Sequence, residues 1–108
     1  MVSKKKRITS TTITDENTKI PEKQGNGVLM IVVKTDEDGE ISRYSMAYVN
    51  LRICRVDNGR VLGYDNSHGY HHRHYMGKEE AIVFTNYKDI LERFEKEWRI
   101  LHEKAKNQ

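Results

Sequence analysis

The hydrophobic pattern divides the chain at Val28. Before it, residues 1–27 are mostly Lys, Thr, Ser, Asn, Glu and Gln, with Ile8, Ile13 and Ile20 too sparse to form a face, and the stretch closes on Pro21 and Gly25-Asn26-Gly27. This predicts a mobile leader with at most a short strand at Thr11 to Thr14. From Val28 to Val33 every residue is apolar, which predicts a strand covered on both faces.

Asp36-Glu37-Asp38-Gly39 then supplies a turn, and a long strand is expected from Ile41 to Val56. Alternation along it assigns Ala47, Val49, Leu51 and Ile53 to the core. Tyr44, Met46, Tyr48, Asn50 and Arg52 fall on a semi-polar, aromatic face. Asn58-Gly59 is a strong hairpin signal, because both central positions of a type I′ turn need positive φ, and Arg60 to Tyr64 is expected to pair back. Strands are expected again at Tyr70 to Met76 and Glu79 to Phe84, joined by Gly77-Lys78. Tyr87, Ile90, Leu91, Phe94, Trp98, Leu101 and Ala105 recur at helical spacing and form one apolar stripe. Asn86 or Thr85 is the expected cap, and Glu92/Lys96 and Glu95/Arg99 are i,i+4 pairs.

The expected architecture is therefore α+β: a five-stranded antiparallel β-meander over residues 28–108 packed on one C-terminal α-helix, with a flexible basic leader at 1–27. One sheet face lies under the helix. The other, carrying His72, His74, Tyr70 and Tyr48, is partly open and invites a homodimer.

Composition refines this picture in three places. The formal charge of +3 is concentrated at the N-terminus: residues 1–27 hold six Lys/Arg against three Asp/Glu, and the remainder holds thirteen of each. The folded part thus offers no overall electrostatic attraction for nucleic acid, and the leader can touch phosphates or simply solubilise. The single cysteine, Cys54, excludes an internal disulfide and a cysteine-based zinc cage, consistent with a reducing cytoplasm. No apolar run of about 18 residues predicts a membrane span, and Ser3-Lys4-Lys5-Lys6-Arg7 opens the chain without an apolar signal region.

Candidate chemistry concentrates between Tyr64 and Tyr75, which hold four of the five histidines and three tyrosines. On a strand, His72 and His74 share one face with Tyr70, while His71, Arg73 and Tyr75 share the other. Side chains two residues apart stand about 6–7 Å from each other, which leaves room for a substrate atom between two imidazoles. One reading is metal-independent cleavage of an RNA phosphodiester. One histidine takes the 2′-OH proton, the other protonates the leaving oxygen, and Arg73 or Arg52 stabilises phosphate charge. Tyr70, Tyr75 and His71 then offer surfaces for bases. Strand alternation opposes one part of this, since it sends Arg73 away from the two histidines. The competing chemical reading is a metal held by His72 and His74 with Asp65, His68 or Glu79 as third ligand. The plain alternative is a set of half-exposed strand histidines, or a protein-binding strip with no chemistry.

The features Tyr64-Asp65-Asn66, Gly69, His72-Arg73-His74, Glu79-Glu80 leading to Phe84, and a Phe/Trp-bearing C-terminal helix together resemble the TumE family of small bacterial and archaeal toxins of toxin–antitoxin pairs. The resemblance covers roughly residues 28–100. The chain departs from it at His71, where many members carry an acidic residue, and in having no Pro after Glu80. The resemblance implies a toxin neutralised by a helix-turn-helix antitoxin, and by analogy it singles out Asp65, His72, Arg73 and His74. RNA as target is an inference from residue chemistry. No cofactor is expected on the leading reading, and the expected location is cytoplasmic.

Overall fold

A computed structural model describes residues 11–106; the basic run at Ser3 to Arg7 lies outside the described residues. The chain forms six strands, β1 (Thr11–Ile20), β2 (Gly27–Thr35), β3 (Ile41–Val49), β4 (Arg60–Asp65), β5 (His72–Tyr75) and β6 (Lys78–Ala81), followed by one helix, α1 (Tyr87–Lys106). All neighbours pair antiparallel in sequence order. The sheet has six strands rather than the expected five. The extra strand, β1, lies in the stretch read as leader and pairs with β2 from Thr11↔Thr35 to Ile20↔Gly27. Its Thr-rich, mostly polar sequence suits an edge strand, where β-branched side chains favour extended backbone and one face stays in water.

The two faces of β3 are inverted relative to the alternation argument. Tyr44, Met46 and Tyr48 are buried, Tyr48 completely, whereas Leu51 is 59% exposed. The helix lies over the tyrosine face: Tyr87 meets Tyr44 at 6.0 Å between ring centroids, Phe94 meets Tyr64 at 6.5 Å and Trp98 meets Tyr48 at 5.7 Å. The physical reason is volume and polarity together. A single helix standing on a twisted sheet leaves space that large rings fill, and each tyrosine keeps its hydroxyl satisfied at the rim of the core. Tyr44 reaches His71 Nδ1 at 2.8 Å, Tyr48 reaches His102 Nδ1 at 3.0 Å, and Tyr64 donates to Glu97 Oε1 at 2.5 Å. Tyr48 therefore belongs to the helix side and not to the open face.

The expected long strand to Val56 stops at Val49 because Asn50 turns the chain. Its side chain is buried, donates to the Gly25 and Asn26 carbonyls at 3.1 and 2.9 Å, and accepts from the Arg52 amide at 3.0 Å. Leu51 and Ile53 consequently lie in a loop. Asp57, Asn58 and Gly59 all take positive φ, so the reversal before β4 is wider than a two-residue hairpin.

The helix follows its sequence closely. Ile90 and Phe94 are buried, and Tyr87, Leu91, Trp98 and Leu101 pack around them. The Asn86 side chain accepts the Asp89 amide at 2.8 Å, capping the first turn. Arg99 meets Glu95 at 3.0 Å on the outer face. No helix among the described residues is long and apolar enough to cross a membrane.

Two outcomes follow. Truncating Phe94 to Ala should cost about 3–5 kcal/mol, the range for deleting a buried aromatic, read as a lower urea midpoint. The second concerns alkaline pH. Burial, with some help from the Asp65 charge, pushes the Tyr44 hydroxyl up to about 12, and burial also raises Tyr48, Tyr64 and Tyr87. The unfolded chain ionises its tyrosines near the ordinary value of about 10. The folded state therefore holds full tyrosine-linked stability below that pH and loses it as pH rises toward 12. Across that window the urea midpoint should fall as tyrosinate absorbance rises; an unchanged midpoint would contradict the burial of these rings.

Candidate functional site

The pairing of β4 with β5 sets Asp65 opposite His72, Tyr64 opposite Arg73 and Gly63 opposite His74, and β6 then sets Glu79 beside His74 and Glu80 beside Arg73. Opposed residues in an antiparallel pair share a face. Asp65, His72, His74 and Glu79 therefore stand on the side away from the helix, and Tyr64, Arg73 and Glu80 stand on the helix side.

On the far side the polar groups converge on one carboxylate. His72 Nε2 lies 2.8 Å from Asp65 Oδ1, and His74 Nε2 lies 3.2 Å from Asp65 Oδ2. Ser67 fixes the same carboxylate through its amide at 3.0 Å and its hydroxyl at 2.6 Å. The imidazoles meet edge to face with centroids 4.7 Å apart. All three residues are buried: Asp65 is 8%, His72 2% and His74 9% exposed. The outer nitrogens are occupied as well, His72 Nδ1 by the Tyr70 carbonyl and His74 Nδ1 by Arg60 Nη2, each at 3.2 Å.

Charge and tautomer follow from these contacts. A guanidinium only donates, so His74 Nδ1 accepts from Arg60 and His74 Nε2 carries the proton shared with Asp65. Burial, and then the Arg60 charge, holds His74 below the usual histidine range. For Asp65 burial works in the opposite direction, raising the pKa. The Ser67 hydrogen bonds and the two histidines outweigh it and hold the carboxyl below its ordinary value.

Arg60 enters this cluster by a route the alternation rule does not describe. A bulge separates Tyr48↔Leu62 from Val49↔Arg60, and the Arg60 stem crosses Gly63, where an added Cβ would lie 2.9 Å from Arg60 Cδ. Gly63 thus leaves the space that lets the guanidinium reach His74, while Asp57 holds Arg60 Nε at 2.7 Å. A glycine inside a strand was the available signal that something passes close to the backbone. Ser67 was likewise missed, and only the Asp-x-Ser spacing hinted at it.

The remaining sequence candidates divide by face. Tyr70 joins the cluster, its ring 4.6 Å from that of His72 and its hydroxyl donating to Glu79. Arg73 does not join. Its Nε contacts Tyr64 Oη at 3.1 Å and Glu97 at 3.3 Å, and its Nη1 contacts Glu80 at 3.2 Å, all on the helix side. Tyr75 sits under Arg73 with the guanidinium 5.0 Å above its ring. His71 stacks on Phe84 at 4.0 Å beside Tyr44. Arg52 pairs with Glu22 at 3.5 Å, in the loop beyond the far end of β3, and borders a cavity of about 480 Å³ that also includes Gly25, Leu101 and Lys104 but none of the clustered residues.

A family model described as Toxin TumE matches residues 3–102. No curated protein and no solved structure matches the chain.

Replacing Asp65 with Ala should leave the His74 Nε2–H without its acceptor and His72 Nε2 without its partner, at a cost of about 1–3 kcal/mol for each orphaned group. Asp65→Asn, which retains one acceptor oxygen, should cost less. Urea denaturation of the two variants measures the difference, and equal stability would show that the carboxylate does not hold the pair.

Proposed function

The chain belongs to the TumE toxin family, and from that premise we propose that it is the toxin component of a toxin–antitoxin pair and cleaves RNA at the Asp65, His72 and His74 cluster. The observation that carries this reading is the convergence of two imidazoles on one carboxylate with a guanidinium alongside, on the sheet face that the helix leaves uncovered. Imidazoles exchange protons near neutral pH, and a pair of them can serve both ends of a phosphodiester transfer. In this scheme one takes the proton of a ribose 2′-OH as the 2′-oxygen attacks phosphorus. The bond to the 5′-oxygen breaks as the other imidazole protonates that oxygen, leaving a cyclic phosphate and a free 5′-hydroxyl. In this scheme Arg60 pairs with the phosphate, the part that the sequence argument gave to Arg73 or Arg52. Asp65 orients both rings. Phosphate reaches them by parting Tyr70 from Glu79, which are both exposed and joined by one hydrogen bond, and Tyr70 is then free to stack on a base. The expected protein partner is a helix-turn-helix antitoxin, and the expected setting is a cytoplasmic homodimer.

The test is incubation of chelator-treated protein with total RNA beside a His72→Ala/His74→Ala double variant. Wild type should cleave, and the double variant should lose at least about 100-fold in rate, the lower bound for removing positioned acid–base groups. Arg60→Ala should lose activity while Arg52→Ala keeps it. Cleavage that persists in the double variant would remove the catalytic assignment. Growth arrest by wild type without any RNA cleavage would move the reading to a toxin that acts by binding.

A further inference from the structure

His72 presents both ring nitrogens to oxygen acceptors: Nδ1 to the Tyr70 carbonyl at 3.2 Å and Nε2 to Asp65 Oδ1 at 2.8 Å. A neutral imidazole has one N–H. With that proton on Nε2 the ring bonds Asp65 and turns its Nδ1 lone pair on the Tyr70 carbonyl; with it on Nδ1 the Nε2 lone pair faces a carboxylate oxygen, and a cation between the two satisfies both. An Nδ1–H bond to a backbone carbonyl is also the contact that fixes the ring orientation of metal-ligating histidines. His74 Nε2 faces the other oxygen of the same carboxylate, and one ligand atom from each of the three residues lies within 4.8 Å of the others. Bonds of 2.0–2.2 Å in a tetrahedron place ligand atoms roughly 3.4 Å apart, so a set now spanning 2.8 to at most 4.8 Å takes in one ion when its widest pair draws together and the two carboxylate contacts open slightly.

We propose that Asp65, His72 and His74 form a site for one divalent transition-metal ion of the zinc class. Two imidazole nitrogens and a carboxylate favour such an ion over magnesium or calcium, which prefer oxygen throughout. Glu79 completes the set. Its carboxylate stands 4.0 Å from His72 Nε2 and is held back by the Tyr70 hydroxyl. Loading moves the His74 proton to Nδ1, and Arg60 withdraws toward Asp57, which it already contacts. The consequence for activity rests on the RNA-cleavage reading: an ion held by both Nε2 atoms, with a proton on each Nδ1, leaves neither imidazole able to take up another proton, so the loaded protein would be switched off.

The experiment separates binding from cleavage. Chelator-stripped full-length protein is titrated with zinc against a chromogenic competitor, and with cobalt while visible absorption is followed, in the absence of RNA. One equivalent should bind per chain, with a loss of affinity of at least about tenfold in His72→Ala and in Asp65→Asn and no change in His68→Ala. Thermal unfolding of each variant with and without zinc shows whether the protein is folded, and zinc should raise the midpoint of wild type and of His68→Ala only. Absence of binding, or binding indifferent to His72 and Asp65, would overturn the site whatever RNA does. Stoichiometric binding together with undiminished RNA cleavage by the loaded protein would overturn the switch.

Discussion

Asp65 is the residue on which the far side of the sheet depends. One carboxylate, fixed by Ser67, accepts from His74 Nε2 and faces His72 Nε2, and each imidazole is anchored on its outer nitrogen, to the Tyr70 carbonyl or to Arg60. Those anchors come from β4, from β5 and from the turn between them. The strand pairing and the polar cluster therefore stabilise each other: without the register the histidines would not meet the carboxylate, and without the carboxylate two buried imidazoles would face one another across 4.7 Å.

Successive residues of β5 serve opposite sides of the sheet. His72 and His74 go to the cluster, while Arg73 enters the helix interface, where it bonds both Tyr64 Oη and Glu97. Tyr64 itself packs against Phe94 and donates to Glu97. Arg73 thus locks β5 under α1 and fixes the strand whose alternate side chains form the cluster. Removal of Arg73 would take one donor from Tyr64 and Glu97, which keep each other, and loosen β5 from α1, so loss of activity in such a variant would report on the fold.

The helix was legible because seven apolar residues kept one period over twenty residues with a cap at the start, and periodicity is a local property. The histidine alternation on β5 was legible for the same reason, and so was β2 as a strand, although it is not covered on both faces as expected: Met30 is 41% exposed. What was not legible depended on partners distant in sequence. Tyr44, Met46 and Tyr48 look less core-like than Ala47 and Val49 until the aromatic residues of α1 and the tyrosines' hydroxyl partners His71 and His102 are in place. Asn50 looks like a strand residue until residues 25 and 26 return to bond it. Arg60 is ten or more residues from the histidines and reaches them only through the gap above Gly63.

Energetics bear on why the cluster exists. A domain of this size has a net stability of about 5–15 kcal/mol, and burying a carboxylate with two imidazoles incurs a desolvation cost that an apolar set of equal volume would avoid. The aromatic core on the opposite face already holds the helix to β3 and β4 without it. The uncovered face could therefore have been built from aliphatic residues throughout, as it is where Val28, Met30 and Ala47 adjoin one another. Instead the face turns polar at Asp65, His72 and His74, and Tyr70 and Glu79 lie beside His72 there, joined by a hydrogen bond exposed to water. Polar residues that cost stability and share one carboxylate give the physical reason to propose the cluster as the working part of the molecule.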